Sequence, residues 1–173
     1  MRIESDDRAV RSDERSGRSS RDARRPDLPP APCEVQAWGV MEQLVAVGAG
    51  LMGGVFVAFS VAVMPALRRR PAAEAVAVMQ EVNRVIVNPL FLLLFLGTGV
   101  AGVVAAVLDV RAVPGAVLYV VGALGVTMVV NVPLNNRLDA EGELVWARYL
   151  ARWTAWNHVR ALAATGSAVL LAW

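Results

Sequence analysis

Four long apolar runs, set apart by short polar stretches, dominate the pattern of this chain. Between Glu42 and Arg68 there are 25 uncharged residues. At about 1.5 Å rise per residue, that is enough helix to cross about 30 Å of hydrocarbon. The first span is placed at 44–67, closed by Pro65 and the Arg68-Arg69-Arg70 cluster. Asn88-Pro89 then reads as a helix start, Asn capping and Pro in the first turn, and Pro89 to Leu108 gives a second crossing of 20 residues. The third runs over 112–132, and Pro133 is expected to end or kink it. Only 13 residues follow Arg160, too few to cross alone. The fourth span must therefore reach back to Trp153, taking Asn157, His158 and Arg160 into or just under the apolar layer.

Finer periodicities refine the picture. The first span repeats small residues every fourth position (Ala46, Gly50, Gly54, Ala58, Ala62), a stripe expected to pack helix against helix. The second has a similar stripe at Gly97, Ala101 and Ala105. Between them, Ala75, Val78, Met79, Val82 and Ile86 fall on one face of a short amphipathic helix expected at the membrane surface. A second such helix is expected in the connection between spans three and four, where Trp146, Tyr149 and Trp153 line up. At 100° per residue, Trp153, Asn157, Arg160, Ala164, Ser167 and Leu171 share one face of the last span, and His158 points about 140° away from Trp153. The fold class that follows is all-α, an integral membrane four-helix bundle.

Charge changes the picture at the N-terminus. Residues 1–40 hold 8 of the 17 arginines and 8 of the 15 acidic residues, with Ser, Pro and few large apolar side chains. Such a stretch cannot bury enough surface to offset its ordering entropy. It is expected to be a disordered tail, or else sequence upstream of a true start at Met41. The arginines near span ends gather in the connections between spans one and two and between three and four, which the positive-inside rule puts in the cytoplasm. No nucleic-acid partner is expected despite a pI near 9.3. The partners expected are the lipid bilayer and a lipophilic aromatic small molecule.

Candidate chemistry is sparse. There is one His, one Cys (Cys33, in the tail), and no zinc-, phosphate- or dinucleotide-binding signature, so no metal and no cofactor is expected. Helix direction brings Pro65, Asn83, Asn88, Asn131, Asn135, Asn157, His158 and Arg160 to one end of the bundle. Polar groups gathered inside a membrane bundle mark a pocket. Arg160, Asn157 and His158 are the candidate catalytic residues, with Arg160 and Asn157 ranked first. Asn88, Asn131, Asn135 and Trp153 are the candidate substrate contacts. Each also has a plainer reading: Arg160 snorkelling to headgroups, Asn88 as N-cap, Asn131 and Asn135 satisfying carbonyls freed by Pro133, and Trp146, Trp153, Trp156 and Trp173 as an interfacial aromatic belt.

Several short motifs occur in a specific order: Phe59-Ser60-Val61-Ala62-Val63-Met64-Pro65-Ala66-Leu67, Met79-Gln80-Glu81-Val82-Asn83, Asn88-Pro89 with Phe91, Asn131-Val132-Pro133-Leu134-Asn135, and Trp153 with Trp156-Asn157 and Arg160. Together, over about residues 41–173, they resemble the anthrone oxygenase-like family of four-helix membrane proteins. The resemblance implies a membrane bundle and, in some members, oxygenation of anthrones to anthraquinones without metal or flavin. The alternative from another class is a non-enzymatic accessory subunit or small-molecule carrier, in which the same polar residues hold helices together. An Arg-only, Ala/Val/Gly-rich composition points to the plasma membrane of a GC-rich bacterium.

Overall fold

The computed structural model describes residues 32–173, with side chains from Gly39 onward. Expectations about residues 1–31 lie outside the described part. Helix α1 (residues 32–67) starts as α-helix over Pro32–Ala58, inside the stretch read as tail. It widens into a π turn at Phe59–Val63 and closes with an α turn at Met64–Leu67. Helix α2 covers Ala72–Val85 and α3 covers Pro89–Leu108. A 3-10 turn at Val110–Ala112 leads into α4 (residues 113–141), which is α-helical at Val113–Val117, π-helical over Leu118–Gly125 and Thr127–Asn131, and α-helical again over Val132–Glu141. After Gly142–Val145, α5 runs over Trp146–Ala172. The described residues contain no strand.

Local chemistry explains the joints. Asn88 caps α3 as its sequence predicts, its side-chain Oδ1 accepting the Phe91 N–H at 2.9 Å. Pro133 does not end the helix. It sits in the first turn of the α segment that follows a π stretch, where its missing N–H costs least. Gly142 closes α4 at φ 58°, ψ −129°, a backbone conformation that side chains other than hydrogen resist.

Three helical stretches, Gly39–Leu67, Pro89–Leu108 and Val110–Ala172, are long and apolar enough to cross a membrane; the last contains α4 and α5 in sequence. The outer faces fit that medium. Leu44, Leu51, Leu93, Val107, Val129 and Leu162 all point outward, exposed on a surface where water would penalise them. Four long helices thus form a membrane-compatible bundle, with α2 packed on α4 near Leu138, where the Gln80 side chain donates to the Leu138 carbonyl at 3.0 Å.

Two packing expectations are corrected. On α1 the stripe of Gly50, Gly54, Ala58 and Ala62 faces outward, and only its first member, Ala46, is buried. The inward face is Val45, Ala49, Met52, Phe56 and Ser60. Gly48 and Gly53 make the close approaches, and a Cβ at Gly53 would lie 2.7 Å from the Thr165 hydroxyl on α5. Larger side chains on the neighbouring face bury more apolar area, so that face turns inward. Likewise Trp146 and Trp153 are not belt residues. They sandwich Tyr149 at ring distances of 5.8 and 6.3 Å, within a buried cluster that includes Met64, Met79 and Leu138. Trp156 and Trp173 do lie on the exposed surface.

Candidate functional site

The inward face of α5 is the one the helical repeat predicts. Trp153, Asn157, Arg160, Ala164, Ser167 and Leu171 are all buried. Arg160, 6% exposed, sits halfway along the helix with its guanidinium carbon 4.4 Å from the Phe56 ring centroid and 5.1 Å from that of Trp153. One terminal nitrogen donates to Thr127 Oγ1 at 3.1 Å, the other to Asn157 Oδ1. Its Nε–H has no partner. The guanidinium is therefore held as a planar fork between aromatic faces, a geometry an ammonium group could not reproduce.

Asn157 is what fixes that fork. Besides accepting from Arg160, its amide nitrogen donates to the Phe56 carbonyl and to Ser60 Oγ, each at 2.7 Å. The bonds land on α1 just before and within the π turn, where the i→i−4 ladder is interrupted. Both N–H groups of this amide are spent on α1, while its oxygen serves Arg160 within α5. Thr127 braces the other side, donating its own proton to the Ala123 carbonyl at 2.7 Å and leaving lone-pair density for Arg160.

Against Arg160 lies a cavity of about 330 Å³ bounded by all five helices. Its wall is mostly apolar, with Phe56, Phe59, Phe91 and Phe95 prominent; its polar groups are Asn83, Thr127, Asn131, Asn135 and Arg160, with the indole of Trp153 beside them. Asn135 is already engaged, its Oδ1 accepting from Tyr149 OH at 2.9 Å and from Trp153 Nε1 at 3.0 Å. Asn131 is not. It is 1% exposed and neither its amide nitrogen nor its oxygen has a partner; the Asn83 amide nitrogen is likewise unpaired. A buried carboxamide left unsatisfied costs about 1–3 kcal/mol, and Asn131 and Arg160 Nε are such unpartnered groups bordering the cavity. The lining extends to Val87, Leu96 and Met128, apolar and strongly exposed, so the cavity reaches the bundle's outer surface beside α3 and α4.

Of the residues picked from sequence, Arg160, Asn131, Asn135 and Trp153 meet at this cavity, and Asn157 stands directly behind Arg160. Asn88 is spent as the α3 cap, on a separate groove of the surface. His158 is exposed on the opposite side of α5, in a groove with Arg68 and Thr154. Sequence reasoning passed over Thr127, although 127, 131 and 135 form an i, i+4, i+8 polar row in an otherwise apolar helix. It also passed over Ser60, one hydroxyl in an apolar run, and the phenylalanine lining, which no spacing distinguishes from core.

Four membrane-compatible helices around a buried arginine and a largely apolar cavity define a small helical membrane protein with a pocket inside its bundle. The chain belongs to the anthrone oxygenase family: residues 76–170, more than half of its length, match that family's model, which is described as anthrone oxygenase. The matched part runs from α2 through most of α5 and so contains Asn83, Thr127, Asn131, Asn135, Trp153, Asn157 and Arg160. No curated protein and no solved structure matches the chain.

Proposed function

We propose that the protein oxidises a flat, lipophilic aromatic or quinol-type compound with dioxygen in the cavity beside Arg160, in the plasma membrane of a bacterium. The observation that carries this is the pairing of a buried, forked guanidinium with an unsatisfied Asn131 amide inside an aromatic-lined cavity, in a member of a family described as anthrone oxygenase.

An anthrone is a carbon acid. Loss of one proton from its methylene gives an electron-rich enolate that reacts with dioxygen directly, and collapse of the resulting hydroperoxide releases water. The net change is CH2 plus O2 to C=O plus H2O, with carbon oxidised and oxygen reduced. What a protein must supply is an oxygen-anion site and a dry surrounding. Arg160 and Asn131 are donors suited to the oxyanion, and the phenylalanines suit a planar ring system. The apolar rim at Leu96 and Met128 favours access from the bilayer rather than from water. The arginine distribution supports a cytoplasmic position for the Asn131 end of the bundle.

Purified protein in nanodiscs, supplied with an anthrone, should take up one dioxygen per ketone formed, faster than empty nanodiscs. Oxygen uptake no faster than the empty-disc control across anthrone and hydroquinone substrates would reject the enzyme and leave a carrier.

A further inference from the structure

Arg160 is a buried cation for which the described residues provide no counter-ion. Its acceptors, Thr127 and Asn157, are neutral oxygens. The acidic side chains lie elsewhere: Glu74, Glu81 and Glu141 pair with Arg70, Arg84 and Arg137 on the exposed surface, Asp109 caps the turn at Arg111, Glu42 lies beside Ala105 and Asp109 at the other end of the bundle, and Asp139 and Glu143 are exposed. Among the described residues, no acidic residue and no histidine lines the cavity. The titratable hydroxyl closest to it on α5, Tyr149, donates to Asn135, while Tyr119 donates to the Phe95 carbonyl. The cavity therefore has a positive charge to offset, unpaired N–H groups on Arg160 and Asn131 to satisfy, and no side chain placed to take a proton.

We infer that the cavity binds its ligand as a monoanion, an ionised phenol or enol whose oxygen sits against Arg160 Nε and the Asn131 amide, and that Arg160 itself drives the ionisation. The ligand's O–H (or acidic C–H) bond breaks, the electron pair stays on the ligand, and the proton leaves to bulk water instead of to a protein base. An opposite charge in direct contact, little screened by water, favours the ionised form of an acid. This rests on the cavity being the substrate site and deepens that reading: the site selects compounds already acidic enough to ionise beside a cation, and His158 has no part in the proton's removal.

The probe is 2-hydroxyanthraquinone, a planar phenol that changes from yellow to red on ionisation and is not consumed. Bound to the full chain in phosphatidylcholine nanodiscs, it should ionise at a proton concentration at least about tenfold higher than in empty nanodiscs, with release of one proton per probe bound. Arg160→Lys, which keeps the charge, should retain part of that shift, and Arg160→Gln should abolish it while still binding neutral anthraquinone. A wild-type complex that stays yellow and releases no proton overturns the inference without recourse to any variant. A red, proton-releasing complex in a protein that takes up no oxygen supports the anion site and fails only the oxygenase reading. Oxygen uptake with a yellow complex does the opposite.

Discussion

The two ends of the bundle are built on different physics. At the end holding Val45, Ala46, Ala105, Ala112 and Leu171, the core is small apolar side chains in mutual contact. The buried polar groups near it are the hydroxyls of Thr98 and Ser167 and one carboxylate oxygen of Glu42. At the other end the same four helices enclose Ser60, Asn131, Asn157 and Arg160 together with stacked Trp146, Tyr149 and Trp153. Lipid tails are as apolar as leucine, so burial alone does not drive helices together in a membrane; close packing does at the first end, hydrogen bonds at the second. A bundle that needed only to hold together could use the first solution at both ends. Unpartnered buried polar atoms occur at both ends, Ser167 Oγ and Glu42 Oε1 at the first and Asn131 and Arg160 Nε at the second, but only at the second do they border a cavity of about 330 Å³, and that is the basis of the proposed site.

This contrast can be broken most severely at Asn157. Asn157→Leu strands the Phe56 carbonyl, Ser60 and one arm of Arg160, and should lower stability by about 2–4 kcal/mol. Thermal unfolding in detergent measures it, and a loss below about 1 kcal/mol would show that the amide is not the brace described. Ala105→Leu overfills the opposite end. It should cost about 1–3 kcal/mol yet leave turnover per folded molecule unchanged, and a loss of turnover would mean the two ends are not separable. Asn135→Leu removes the shared acceptor of Tyr149 and Trp153. A cost of about 1–2 kcal/mol and a raised KM are expected, the indole being freed to move within the cavity wall; an unchanged KM would remove Trp153 from ligand positioning. His158→Ala lies outside the site and should change stability by no more than about 0.5 kcal/mol, with turnover intact. Its inactivation would restore the histidine as a proton acceptor and undo the separation of grooves.

Much of this was legible in the sequence where one periodicity dominates. The face of α5 carrying Trp153, Asn157 and Arg160 follows from 100° per residue, and Asn88-Pro89 announces the start of α3. The α1 stripe misled because two small-residue faces compete there, and only the partner helices α3 and α5, through Thr98 against Gly48 and Thr165 against Gly53, decide between them. Trp146 and Trp153 misled because an aromatic near an arginine cluster suits an interface and a core equally well; α2 folding back over them settles it. Thr127 escaped notice because π-helical turns around it blur the register by which residues are placed on a face.

The most direct test is the comparison of Arg160→Lys with Arg152→Lys. Arg152 lies exposed on α5, eight residues earlier, and serves as the control for losing a guanidinium as such. If Arg160 acts as a planar fork between Thr127, Asn157 and a ligand oxygen, lysine at 160 should cut oxygen uptake about a hundredfold or more, while lysine at 152 leaves it unchanged. Equal tolerance at both positions would make Arg160 a membrane anchor and contradict the placement of the site.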